Sequence, residues 1–95
     1  MDKAQHERLA VLAEELGEVQ QVIGKILRHG MDSFNPLDDS EETNRTKLEK
    51  ELADVNLIVL HMISQGDVNE DHINWNTHNK VEKINKWLHH NKVEL

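Results

Sequence analysis

Two short stretches of the chain carry acids at the same spacing, three residues apart. Glu15 and Glu18 form the first pair, and Glu51 and Asp54 form the second. Residues three apart on an α-helix lie on one face, so each pair presents two carboxylates side by side. Carboxylate oxygens are ligands for hard divalent cations and can also act as general bases. If the two segments pack together as helices, the four acids meet at one site.

The position of these acids relative to the apolar residues is the same in both copies. At roughly 100° per residue, Glu15 falls within an apolar stripe and Glu18 at its margin, whereas Glu14 points away. In the second copy Glu51 lies within the stripe and Asp54 at its margin. The stripes consist of Leu9, Leu12, Leu16, Val19, Ile23 and Ile26, and of Leu48, Leu52, Val55, Val59 and Met62. Because carboxylates that share a site raise one another's pKa, they must be either neutralised by cations or protonated.

The neutralising cation is either a side chain or a metal ion. A solvated helix flank with ion pairs to Lys25, Lys47 or Lys50 is the simpler interpretation, and lone Glu-x-x-Glu spacings usually deserve it. Two copies in the same phase favour a metal site, as does the small residue within each copy, Gly17 or Ala53, which allows close helix packing. None of the seven His residues stands three residues after a Glu, the spacing of di-iron bundles. All-oxygen ligation therefore favours Mg²⁺, with Mn²⁺ as an alternative, and magnesium bound by carboxylates points to phosphoryl chemistry.

Length and composition predict one domain, residues 1–95, that associates with copies of itself. Only 37% of the 95 residues are hydrophobic, so a small set of helices would leave apolar surface exposed. The formal charge of −7 argues against nucleic acid as a partner, and the absence of Cys excludes disulfides and thiolate metal sites. Without a signal segment or a membrane-spanning apolar run, we expect no membrane association and a cytoplasmic location.

The hydrophobic pattern predicts an all-α fold with three helices. Helix 1 covers about residues 3–29, a turn-rich loop covers 30–43, helix 2 covers about 44–65, and helix 3 covers about 69–90. Gly30 and Gly66 are suited to end the first two helices, and Thr43 or Asn44 to cap the second. We expect a helical hairpin plus a third helix that completes a four-helix-type bundle by oligomerisation.

The motif Glu14-Glu15-x-x-Glu18 followed by Glu51-x-x-Asp54 resembles that of the MazG-like, all-α nucleoside triphosphate pyrophosphohydrolase superfamily. Segments 24–30, 43–45 and 80–90 are similar to those of its small single-domain phage and bacterial members. The resemblance implies Mg²⁺-dependent cleavage of a nucleoside triphosphate between the α and β phosphates, giving a monophosphate and pyrophosphate. It also implies that Glu15, Glu18, Glu51 and Asp54 are the catalytic metal ligands, and it agrees with the expected homodimer or homotetramer.

Basic residues are candidates to hold the phosphate oxygens of such a substrate. They are Lys25, Arg28, Arg45, Lys80 and Lys83, each of which taken singly could equally be a solvated basic residue. The resemblance adds Asn85 as a substrate-binding residue, because family members often carry an Asn after a Lys on the third helix. His89 and His90 lack a third metal ligand at a compatible spacing. We expect the two tryptophans, Trp75 and Trp87, to be packing residues, although they or Phe34 could stack on a base.

Two other functions are compatible with the same residues. One is a non-catalytic helical oligomerisation or interaction protein that keeps the carboxylates as a structural metal site. The other is a hydrolase whose preferred substrate is a modified nucleotide or an alarmone rather than a standard triphosphate. The sequence alone does not name the base, since base pockets are built from loops and partner chains.

Overall fold

The computed structural model describes residues 1–94, and these form four helices. They are α1 (Lys3–His29), α2 (Asn44–Ser64), α3 (Glu70–Asn79) and α4 (Val81–Asn85). Over the described residues β-pairing is confined to one isolated antiparallel bridge between Phe34 and Thr43, in the loop between α1 and α2. The prediction of an all-α fold is confirmed.

The ends of α1 follow from local side-chain chemistry. Asp2 and Gln5 form a reciprocal capping box: the Gln5 N–H donates to Asp2 Oδ1 at 2.7 Å, and the Asp2 N–H donates to Gln5 Oε1 at 3.1 Å. At the other end Gly30 takes a φ of 92°, and its N–H donates to the Ile26 carbonyl. A residue with a side chain would be strained at that φ, which is why glycine is suited to the position where α1 ends.

The start of α2 is fixed by Thr43 rather than by Asn44. The Thr43 hydroxyl accepts the Thr46 N–H at 3.2 Å, which satisfies one of the free donors of the first turn. Asn44 is buried and instead fastens the loop: its N–H donates to the Ser33 carbonyl at 2.8 Å, and its Nδ2 donates to the Gly30 carbonyl at 3.1 Å. The loop is therefore closed at its base against the first turn of α2.

Helices α1 and α2 pack against each other as a hairpin, and this pair contains the core. The buried apolar residues are Val19, Val22, Ile58 and Met62. The start of α1 is tied to the corner after α2 by Arg8 and Asp67, whose side chains are 13% and 8% exposed; Arg8 Nη2 donates to Asp67 Oδ1 at 2.8 Å. The ion pair places the beginning of α1 beside the end of α2, as an antiparallel hairpin requires.

The expected single helix over residues 69–90 is wrong, because the structure has two shorter helices that meet at Lys80. Polar side chains compete for the backbone there: the side chains of Asn76 and Asn79 each donate to the carbonyl four residues earlier, at 2.8 Å. After Asn85 the chain turns, and the Asn85 side chain holds the backbone of Val93 through two hydrogen bonds. Helix α3 makes few contacts with the hairpin, and its contacts with α4 are those of consecutive helices in the chain.

The protomer is flat and leaves much apolar surface exposed. Its extents are 43 × 36 × 15 Å and its radius of gyration is 16.4 Å, whereas a compact chain of this length has a radius of about 12 Å. One apolar stripe on α1 stays partly exposed along its whole length. It consists of Leu9 (42%), Leu16 (50%), Ile23 (41%) and Leu27 (82%). In the described chain no helix combines the length and apolar character needed to cross a membrane.

Candidate metal centre

The four acids singled out by spacing come together in the hairpin. Glu15 and Glu18 project from α1, Glu51 and Asp54 from α2, and one carboxylate oxygen of each lies within 4.8 Å of the others. Glu14, by contrast, is exposed. The four residues, called the acid quartet below, form a carboxylate cluster that could bind a metal ion.

Two oxygens of the acid quartet are buried without a hydrogen-bond partner. They are Glu15 Oε2 and Glu51 Oε2, one on each helix. A buried carboxylate oxygen loses its hydration and normally regains that energy from a donor or a cation. Two such oxygens on facing helices are therefore the clearest indication that the cluster lacks a positive partner.

The electrostatics of the acid quartet point the same way. Burial, followed by repulsion from Glu18, Asp54 and Glu51, raises the pKa of Glu15 from 4.5 to about 7. The pKa of Glu51 is also raised, first by the neighbouring Glu18 side chain, whose hydrogen bonding favours the protonated carboxyl, and then by burial and by the charges of Glu18 and Asp54. The ionised forms of both side chains are therefore disfavoured, and a cation between the helices would lower both pKa values again.

Of the three lysines proposed as alternative partners, Lys47 and Lys50 are bound elsewhere, and Lys25 forms no salt bridge in the described residues. Lys47 Nζ lies 3.6 Å from Asp38, and Lys50 Nζ lies 2.7 Å from Glu42. Within residues 1–94, the salt bridges of the structure leave the acid quartet without a Lys, Arg or His partner. The simpler interpretation of a helix flank paired to Lys25, Lys47 or Lys50 is therefore wrong, and the donor set fits a hard divalent ion.

Three basic residues meet at the loop end of the hairpin. Lys25 and Arg28 of α1 and Lys47 of α2 line a cavity of about 370 Å³ together with Phe34 and the neighbouring loop residues. This space is called the loop cavity below. Arg45 lies outside its lining, and its guanidinium is instead bound to Asp32 at 3.1 Å. The structure thus brings two of the predicted phosphate-binding residues together.

The predicted substrate-binding residues of the third helix lie in a different part of the protomer. Lys80 borders an open cleft between the end of α2 and α3, Lys83 lies exposed on α4, and the amide of Asn85 is occupied by the backbone of Val93. Since α3 and α4 barely pack on the hairpin, this protomer does not unite these residues with the acid quartet.

The aromatic and histidine candidates are also exposed. The side chains of Trp75 and Trp87 are 66% and 79% accessible, so the expectation that they are packing residues is wrong for the isolated protomer. His89 and His90 follow α4 on the surface and join no described cluster of three metal-ligating side chains.

Sequence reasoning missed the roles of Lys47 and Asn44. Lys47 stands four residues before Glu51, which places it on the same helix face one turn nearer the loop, and that spacing could have identified it. Nothing in the sequence indicated that Asn44 would be buried under the loop.

Comparison of the chain with protein-family models, with curated proteins and with solved structures finds no match.

Proposed function

We propose that this protein is a Mg²⁺-dependent nucleoside triphosphate pyrophosphohydrolase of the MazG-like type. The observation that carries the proposal is the acid quartet: four carboxylates from two helices within 4.8 Å, two of whose oxygens are buried without a partner. The order Glu-Glu-x-x-Glu and Glu-x-x-Asp, which the family resemblance rests on, supports the same reaction.

The chemistry of the donors favours magnesium. All four ligands are carboxylates on rigid helices, and hard oxygen donors select Mg²⁺ or Mn²⁺ over the softer transition metals. Mg²⁺ in such sites supplies neutralisation of polyphosphate charge and activation of water. The basic residues needed for a phosphorylated substrate lie on the same hairpin, in the loop cavity.

Two sets of side chains in this chain would bind the cation and the substrate. Glu15, Glu18, Glu51 and Asp54 would hold the cation, while Lys25 and Arg28 would bind the polyphosphate. The packing of α1 against α2 would position these groups relative to one another, and positioning is a main contribution of the protein to phosphoryl transfer.

We further propose that the working form is a homodimer or homotetramer. A slab 15 Å thick has no second layer to cover its apolar stripe on α1, and a second copy would provide one. Association would also offer a place for the exposed Trp75 and Trp87. The alternative function, a non-catalytic interaction protein with a structural metal, is supported by the same exposed surface.

Pyrophosphate release from a panel of standard and modified nucleoside triphosphates with Mg²⁺ tests the proposal. We expect turnover by the parent protein and loss of turnover in Glu51→Gln, whose fold is checked by circular dichroism. Glu14→Gln is the matched control, because it removes a neighbouring charge on the exposed side of α1. Absence of pyrophosphate release across the panel from an intact oligomer would favour the interaction protein.

A further inference from the structure

The loop cavity is unusual for its charge. The chain has a formal charge of −7 and 18 acids, yet the described residues lining the cavity include Lys25, Arg28, His29 and Lys47 and no acid. Its volume of about 370 Å³ lies within the range of small-ligand sites. A preformed cavity with this lining is suited to an anion.

The cations of the cavity are largely free to bind one. In the described residues Lys25 and Arg28 take part in no salt bridge, and Lys47 has only the 3.6 Å contact with Asp38. The cavity wall is also held in place without them. Asn44 ties the loop to α2 through Ser33 and Gly30, so an entering anion does not have to order the loop first.

The cavity and the acid quartet lie on the same hairpin, with the cavity nearer the loop. Lys25 is seven residues beyond Glu18, roughly 10 Å along α1, and Lys47 is four residues before Glu51, roughly 6 Å along α2. Because the helices are antiparallel, both displacements run toward the loop. An extended polyphosphate with one phosphorus near the acid quartet would therefore reach the cations of the cavity with its far end.

We propose that the loop cavity binds the terminal phosphates of the substrate, which are the part released as pyrophosphate; this inference rests on the proposed function. In the reaction the oxygen of water bonds to the α-phosphorus, and the bond between that phosphorus and the bridging oxygen of the β-phosphate breaks. The electron pair leaves with pyrophosphate, and the protons of water pass to solvent. Lys25, Arg28 and Lys47 hold the leaving group, so triphosphates are preferred over diphosphates.

Titration calorimetry of the full chain in EDTA with inorganic tripolyphosphate tests the site apart from the metal and the base. We expect saturable binding by the parent, weakened about tenfold or more in Lys25→Gln or Arg28→Gln, since hydrogen bonds to charged groups contribute at least that factor. Lys3→Gln, which removes the same charge from the far end of α1, should bind like the parent. Glu51→Gln should keep tripolyphosphate binding, because the acid quartet is not part of the cavity.

The outcomes separate this inference from the proposed function. Binding that depends on Lys25, in a protein without turnover, would support the cavity as a phosphate site and contradict the enzyme. Turnover with the same KM and the same tripolyphosphate affinity in the parent, Lys25→Gln and Arg28→Gln would overturn the cavity proposal and leave the enzyme. Saturable binding of an uncharged nucleoside together with no binding of tripolyphosphate would also overturn it, and would assign the cavity beside Phe34 to the base.

Discussion

Glu15 and Glu51 lie on facing helices, and each buries its Oε2 atom without a hydrogen-bond partner. Their carboxylates belong to one cluster in which one oxygen of each acid lies within 4.8 Å of the others, and the pKa of both is raised. Without a cation, ionisation of these carboxylates therefore destabilises the hairpin. The first two predictions follow from this arrangement.

Without metal, the free energy of unfolding should fall as the pH rises from about 4.5 to about 7. Glu15 has its pKa raised from 4.5 to about 7 in the folded chain, so its stabilising contribution is complete below pH 4.5 and lost above about pH 7. Glu15→Gln lacks this titration, so its free energy of unfolding should rise relative to that of the parent across this pH range. Urea denaturation in EDTA at several pH values measures the difference, with Glu14→Gln as the control. Parallel pH curves for the parent and Glu15→Gln would contradict the prediction.

Magnesium should stabilise the folded chain and release protons as it binds. An ion that binds the folded state alone adds about 2.7 kcal/mol at a concentration of 100 times its Kd. Because Glu15 titrates near pH 7, binding at pH 6.5 should displace part of a proton. Calorimetry in two buffers of different ionisation enthalpy measures that release. No heat of binding, or equal melting temperatures with Mg²⁺ and with EDTA, would count against the metal centre.

Asn44→Ala should loosen the loop and lower the free energy of unfolding by about 1–3 kcal/mol, the cost of a lost buried hydrogen bond and an unpaired carbonyl. The side chain is buried and donates to the Gly30 carbonyl at 3.1 Å. Chemical denaturation measures the change. Asn56→Ala, on the exposed side of the same helix, is the matched control and should be close to neutral. Equal stability of the two variants would show that the loop is not held by this side chain.

Loss of the Arg8–Asp67 ion pair should lower the stability of the folded chain most at neutral pH. The guanidinium of Arg8 holds the pKa of Asp67 below its ordinary 3.8, so the stabilisation is present above that pH and lost as the pH falls through the folded value. Asp67→Asn should therefore melt at a lower temperature than the parent at pH 7, with a gap that narrows in acid. Asp39→Asn, on the exposed loop, provides the comparison. A difference in melting temperature that stays constant from pH 7 to pH 3 would show that the ionised Asp67 side chain is not the source of the stabilisation.

The apolar stripe of α1 should be an interface between copies of the chain. Ile23 is 41% exposed at the middle of the stripe, and a charge placed there would be costly to bury. We expect Ile23→Glu to shift the protein from oligomer to monomer in light scattering, while Gln21→Glu leaves the mass unchanged. A parent protein that is monomeric at high concentration would contradict this expectation.

The parts of this molecule that the sequence predicts well are those governed by local rules. The acid spacing, the stops at Gly30 and Gly66, and the cap at Thr43 or Asn44 depend on residues within a turn or two of each other. The break at Lys80 depends on side chains that compete with the helix backbone, a balance that hydrophobic periodicity does not report. The partners of Lys47 and Lys50 depend on the path of the loop, which no short-range pattern describes.

Because the loop is closed at its base, the packing of α1 against α2 does not depend on how long the loop is. The Phe34–Thr43 bridge and the Asn44 hydrogen bonds fix where the chain leaves α1 and enters α2, whatever lies between. Lengthening a surface loop adds little closure entropy. Extra residues, an epitope or a small reporter domain inserted between Asp39 and Ser40 should therefore leave the register of the hairpin intact, which makes this turn a natural point for building fusions.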